Sequence, residues 1–194
     1  CPIQLPGREN RIMEPFITDF VELIEQIADS IQSYLDIPYA MFGHSMGALL
    51  AFELARIIRN RNWRRPERLI LSAHRAPHLP PPRPHIHRLP EQEFRSEIVR
   101  LQGTPKDILE NEELMQLLLP RLRADFTLYE NYQFLADQPL NLPLSLYGAL
   151  DDQEVTDPEL KAWQSYTTEA VTERMFPGSH FYILNQTQLI KRAV

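Results

Sequence analysis

The sequence predicts an α/β fold, a mostly parallel sheet flanked by helices, and three observations predict it. Short apolar runs of strand length alternate with longer segments of helical period. No hairpin turn of the Asn-Gly kind joins one run to the next, so successive strands need crossover connections, which favours parallel pairing. A length of 194 residues supports one domain with a substantial core.

Taken in order, the chain opens with "CPIQLPGREN", whose apolar start reads as a strand already inside a fold and suggests a preceding segment. From Glu14 to Leu35, residues Phe16, Phe20, Ile24, Ile27, Ile31 and Leu35 recur at spacings of three and four, the mark of a helix with one buried face. Pro15 suits its first turn and Pro38 ends it. "YAMF" from Tyr39 is then expected as a strand buried on both faces, followed by a helix from Met46 to about Ile58. Further strands are expected at "RLILSA" from Arg68, "LPLSLYG" from Leu142 and "ERMFPG" around Met175. Between Ala76 and about Gln138 the alternation stops: a proline-rich "APHLPPPRPHIHRLP" leads into helical stretches at "EQEFRSEIVRL" and "NEELMQLLLPRLRADFTLYENYQFL". A helical insertion between two strands reads as a cap over the strand ends, where α/β proteins bind ligands. Residues 76–138 are therefore the expected lid within a single domain, 1–194.

Composition narrows the function. With 43% apolar and 24% charged residues and no apolar run near the eighteen or so a membrane helix needs, no membrane span is expected. A net charge of −6 argues against nucleic acid as the main partner. Cys1 is the one cysteine, which excludes an internal disulfide framework and a Cys-rich metal site. No signal peptide is visible, and a cytoplasmic monomer is the expectation.

The sharpest feature is "FGHSMG" from Phe42, which sets Ser45 between Gly43 and Gly47 on a strand-to-helix turn. Gly-x-Ser-x-Gly in that context is a nucleophile elbow: the sharp turn strains the serine backbone, and side chains at the flanking positions are expected to obstruct it. The product is an exposed hydroxyl at a helix N-terminus, with the Met46 N–H aimed where an oxyanion would form. A hydroxyl needs a base, and the base needs an orienting acid. Of six histidines, His44 is expected to pack under the elbow, and His74, His78, His85 and His87 precede any suitable acid. His180, in "FPGSHFYIL" directly after a strand, is the candidate base. For the acid, "LYGALDDQEV" supplies Asp151 and Asp152; two adjacent carboxylates cannot both face His180, and the residues alone leave the choice open.

Five segments together resemble a known family: "QLPGRENR" from Gln4, "FGHSMGALLAFELAR" from Phe42, "LQGTPKDILENEELMQLLLPRLRADF" from Leu101, "YGALDDQEV" with "AWQSYT" from Ala162, and "FPGSHFYIL" from Phe176. The chain is similar to the type II thioesterases of nonribosomal peptide and polyketide synthetases, a branch of the α/β hydrolases. The resemblance implies Ser45 as nucleophile, His180 as base and residues 76–138 as a mobile lid over an acyl pocket. The family pattern of an Asp, a Val three residues on and a Trp eleven residues on matches Asp152, Val155 and Trp163, which selects Asp152. It further implies no cofactor or metal, a substrate acyl or aminoacyl group on the phosphopantetheine arm of an acyl or peptidyl carrier protein, and an editing role. Members begin with a strand and a Gly-rich loop that donates the second oxyanion N–H; nothing precedes "CPIQLPGRENR" here, so an N-terminally truncated chain is the expectation.

Two further motifs carry hypotheses. Arg59, Arg61, Arg64, Arg65 and Arg68 crowd one stretch of an acidic chain, as a solvated helix end or as a docking patch for an acidic carrier protein. "HLPPPRPHIH" has three histidines but no acidic or cysteine neighbour in sequence, which disfavours a metal site. A carboxylesterase or acyltransferase on the same triad, or a catalytically silent binding module, are the competing readings.

Overall fold

A computed structural model describes residues 1–81 and 83–193. Pro82, inside the proline run of the expected lid, lies outside the described residues. The elements in chain order are α1 (Phe20–Ile31), β1 (Ala40–His44), α2 (Met46–Asn60), β2 (Arg68–Ser72), α3 (Glu91–Leu101), α4 (Lys106–Leu109), α5 (Glu112–Glu130), β3 (Leu144–Ala149), α6 (Asp157–Lys161), β4 (Val171–Phe176), α7 (Tyr182–Asn185) and α8 (Thr187–Ala193). None of the described helices is long and apolar enough to cross a membrane.

Two compact units emerge, one of residues 1–23 with 81–133, the other of residues 24–80 with 134 onward. The second holds the sheet, with strand order β1-β2-β3-β4, every pair parallel. Parallel strands need covered faces. On one face Leu69, Leu71, Leu144 and Leu146, all fully buried, pack with Ala48, Ala51, Phe52 and Ala55 of α2 and with Trp163. On the other, Ile70, Tyr147 and Phe176 pack with Tyr182 of α7, the period of two sending alternate residues to opposite faces. The small alanines of α2 let its backbone approach the sheet closely, which sets the position of its N-terminus.

The other unit is helical. Phe94 and Ile98 of α3 bury against Met115 and Leu119 of α5 and against Ile86. Asn111 caps α5, its side chain accepting the Leu114 N–H at 3.1 Å. Arg8 pairs with Asp125 of α5, whose carboxyl is pushed up by burial against the pull of that guanidinium.

Three local expectations are corrected. The first helix starts at Phe20, not Glu14, because Asp19 accepts the Glu22 N–H at 2.9 Å and so supplies the N-cap, while Pro15 disfavours a helical Glu14. Residues 1–5 form no strand. β1 is not buried on both faces: it is an edge strand of the described sheet, and Phe42 is 43% exposed.

Candidate active site

β1 runs straight into α2, and Ser45 sits at the joint as the N-cap of α2 with φ 53° and ψ −126°. A positive φ at a residue with a Cβ costs about 1–3 kcal/mol and persists where the surroundings enforce it. Here the Ser45 N–H donates to Ser72 O at 2.8 Å, tying the elbow to β2. Gly43 makes the joint possible: a Cβ there would lie 2.0 Å from Gly47 O and 2.6 Å from Ala48 Cα, both backbone. The expectation for Gly47 is corrected, since a Cβ at that position meets nothing within 4 Å. Met46 opens α2, where the first N–H groups have no acceptor within the helix.

His180 lies in the loop between β4 and α7, buried but for 8% of its surface. Its Nε2 is 2.9 Å from Ser45 Oγ, and its Nδ1 is 3.0 Å from Asp152 Oδ2. Asp152 follows β3, with 1% of its side chain exposed. Its Oδ1 accepts the N–H groups of Glu154 at 2.8 Å and Val155 at 3.2 Å, a turn that holds the carboxylate against the imidazole, with Oδ1 itself 3.2 Å from His180 Nδ1. Asp151 is exposed, and its N–H donates to Gly178 O at 3.0 Å in the histidine loop. The three candidate side chains are thus brought together from the C-terminal ends of β1, β3 and β4, and Asp152 rather than Asp151 faces His180.

His44 does pack beneath. Its Nδ1 is 2.8 Å from Ser72 Oγ, which is 2.6 Å from the Tyr182 hydroxyl. Burial, reinforced by the nearby His180, lowers the His44 pKa to about 4, so no second charge forms beside an imidazolium at His180. Burial likewise pushes the Tyr182 hydroxyl up to about 12. His74 is buried, with its Nδ1 2.6 Å from Arg75 O, and burial lowers it to about 4. His78 pairs with the Tyr166 hydroxyl at 2.7 Å.

Folding gives His85 and His87 an acidic neighbour that the sequence concealed, Glu130 of α5. That carboxylate accepts the Ile86 N–H at 2.8 Å and the His87 N–H at 3.0 Å, and His87 Nδ1 lies 2.5 Å from it. These contacts tie the carboxylate to the segment that carries both histidines.

The arginine run is not brought to the triad. Arg59 pairs with Asp137, and Arg61 with Glu25 and Asp29. Arg64 and Arg65 line a cleft of about 340 Å³ with Glu67, Pro143 and Glu169, at the N-terminal ends of β2, β3 and β4. The triad candidates follow the opposite ends of the strands. A buried charged residue that sequence reasoning did not single out is Arg75, beside the acid loop and 2.9 Å from Glu159.

Parallel strands that end in a nucleophile elbow, with a histidine and an acid delivered by later loops, put the chain in the α/β-hydrolase class. A profile described as "Thioesterase domain" matches residues 1–193, and the chain belongs to that family. Linear gramicidin dehydrogenase LgrE of Brevibacillus parabrevis is 44% identical over 191 residues, covering 97% of this chain and 73% of LgrE. Among solved structures, the RedJ thioesterase of the prodiginine pathway in Streptomyces coelicolor is 36% identical with a TM-score of 0.91, covering 99% of this chain and 77% of RedJ. YbtT, a type II thioesterase of the yersiniabactin pathway of nonribosomal peptide and polyketide synthesis, is 31% identical with a TM-score of 0.88, covering 98% and 78%. LgrE carries a dehydrogenase name, whereas the family and both structures are thioesterases.

Proposed function

We propose that the chain is a serine thioesterase that frees acyl or aminoacyl groups from the phosphopantetheine arm of carrier proteins, as an editing enzyme of nonribosomal peptide or polyketide synthesis. The single observation that carries the mechanism is the Ser45–His180 contact of 2.9 Å with Asp152 behind it. His180 Nε2 takes the hydroxyl proton as Ser45 Oγ attacks the thioester carbonyl, and Asp152 stabilises the imidazolium that forms. The Met46 N–H donates to the oxyanion. Collapse expels the pantetheine thiolate, which takes the proton from His180 and leaves an ester on Ser45. Water, deprotonated by the same imidazole, attacks that ester; the acid departs and Ser45 recovers its proton.

The similarity to thioesterases of synthetase pathways supports the carrier-protein partner. We further propose residues 76–138 as the lid that governs acyl access, supported by its helical content and its place between β2 and β3. The test compares hydrolysis of acyl-pantetheine with that of the matched oxygen ester. A preference for the thioester supports the proposal; an ester preference overturns it in favour of a carboxylesterase.

A further inference from the structure

We propose that Arg75 is a positioning residue for the triad acid, acting on Asp152 through the Glu154–Val155 peptide; this rests on the catalytic reading of Ser45, His180 and Asp152. Both oxygens of Asp152 lie within reach of His180 Nδ1, Oδ1 at 3.2 Å and Oδ2 at 3.0 Å, but only Oδ1 is also held by backbone N–H groups. It accepts the Val155 N–H at 3.2 Å and the Glu154 N–H at 2.8 Å. The Val155 N–H is one end of an amide whose other end is the Glu154 carbonyl, and that carbonyl accepts from Arg75 Nη2 at 3.0 Å. A guanidinium therefore grips one end of a peptide group whose other end grips the acid. Hydrogen-bonded chains of this kind polarise one another, and a charged donor strengthens the whole series.

The guanidinium is itself held on several sides. Nη2 lies 2.9 Å from Glu159 Oε1, Nη1 donates to Pro80 O at 2.8 Å, and 8% of the side chain is exposed. Glu159 uses its other oxygen to accept the N–H and hydroxyl of Thr156, both at 2.8 Å, so it braces the same loop one residue past Val155. The backbone beneath Arg75 is fixed as well. The Ala76 N–H donates to Glu159 O at 3.1 Å, and Trp163 Nε1 donates to His74 O at 2.7 Å. Charge supplies a second reason for an arginine here. Asp152 is buried and the Glu159 side chain is 26% exposed; when His180 becomes an imidazolium it balances Asp152, while Arg75 balances Glu159. Without the guanidinium, Glu159 loses its partner and the Glu154 carbonyl loses its charged donor, so the amide that fixes Oδ1 is held less firmly.

The test uses the whole chain and reads the triad without relying on a thioester. Phosphonylation of Ser45 by a fluorophosphonate needs only the serine and its base, and the Nδ1–H of His180 gives a far-downfield proton resonance while it is bonded to Asp152. In Arg75→Met the labelling rate is expected to fall roughly 10- to 100-fold, the loss that follows a misplaced catalytic group, and the downfield resonance to move upfield or vanish. Steady-state turnover should lose kcat with KM within about 2-fold. Arg75→Lys, which keeps a charged donor for the Glu154 carbonyl, should recover labelling to within about 5-fold of wild type. A folded Arg75→Met chain with wild-type labelling and an unmoved resonance overturns the proposal. Should Arg75→Met fail to fold, Arg75→Met/Glu159→Gln removes both charges and keeps the cap of α6, and the same two readouts decide. A wild type that labels but hydrolyses no acyl-pantetheine removes the thioester reading and leaves the Arg75 result standing.

Discussion

Gly43→Ala isolates the geometry on which the elbow depends. The added Cβ would stand 2.0 Å from Gly47 O, 2.4 Å from Gly47 C and 2.6 Å from Ala48 Cα, against an ordinary contact of 3.4 Å or more. Relief requires the start of α2 to withdraw from β1 by about 1.4 Å, the difference between 3.4 and 2.0 Å. All three obstructing atoms are backbone, so no rotamer change can absorb the clash, and the cost belongs near the top of the overpacking range, about 3 kcal/mol. For a domain of this size that is a fall in Tm of roughly 6–12 °C. Ser45 rides on the displaced joint, and lengthening its 2.9 Å contact with His180 by about 1 Å leaves no hydrogen bond, for a loss of on the order of 10² in labelling by a fluorophosphonate. Gly47→Ala is the matched comparison. Its Cβ meets nothing within 4 Å, and a helical Gly→Ala change is worth up to about 1 kcal/mol, or a rise of roughly 2–4 °C. Thermal unfolding followed by circular dichroism, with labelling kinetics alongside, reads both variants. Equal destabilisation by the two substitutions, or a neutral Gly43→Ala, refutes the steric reasoning.

The other predictions follow from the same contacts. Asp152→Asn should lower kcat by about 10³- to 10⁴-fold, since the amide no longer fixes the His180 tautomer, while Asp151→Asn stays within about 2-fold; steady-state kinetics on an acyl-pantetheine compares them. His74, buried and neutral with its pKa lowered to about 4, makes the unfolded state bind the extra proton, so it contributes nothing to pH dependence above about 6.5, and stability drains as pH falls from there to about 4. The unfolding free energy of His74→Gln, measured by urea titration, should therefore decline less than wild type across that window, the difference reaching on the order of 3 kcal/mol; parallel declines contradict it. Arg64→Glu/Arg65→Glu, at the strand ends opposite Ser45, should leave KM for a carrier-bound acyl group and for a small thioester changed alike; a selective rise for the carrier substrate would support the docking-patch reading.

Strand positions and the elbow were legible because their signals are local. Apolar runs at Arg68 and Leu142 became β2 and β3, and the Gly43–Ser45–Gly47 spacing announced the strand-to-helix joint. The choice between Asp151 and Asp152 was not local: what separates them is a turn whose N–H groups converge on Asp152, and two adjacent aspartates look alike until that turn forms. Arg75 gave no signal, since its partners lie 79 residues away at Glu154 and still further at Glu159. Long separation also hid the pairing of Arg59 with Asp137, so the sequence showed five crowded arginines without their partners. Periodicity overran at Phe16, where apolar spacing continued past the residue able to cap the helix.

Acid release from an acyl-pantetheinyl carrier protein, measured for the wild-type chain beside Ser45→Ala and His180→Ala, tests the central claim most directly. Multiple turnovers by the wild type, with both variants lower by on the order of 10³-fold or more, are predicted. Hydrolysis that persists in Ser45→Ala would contradict the account.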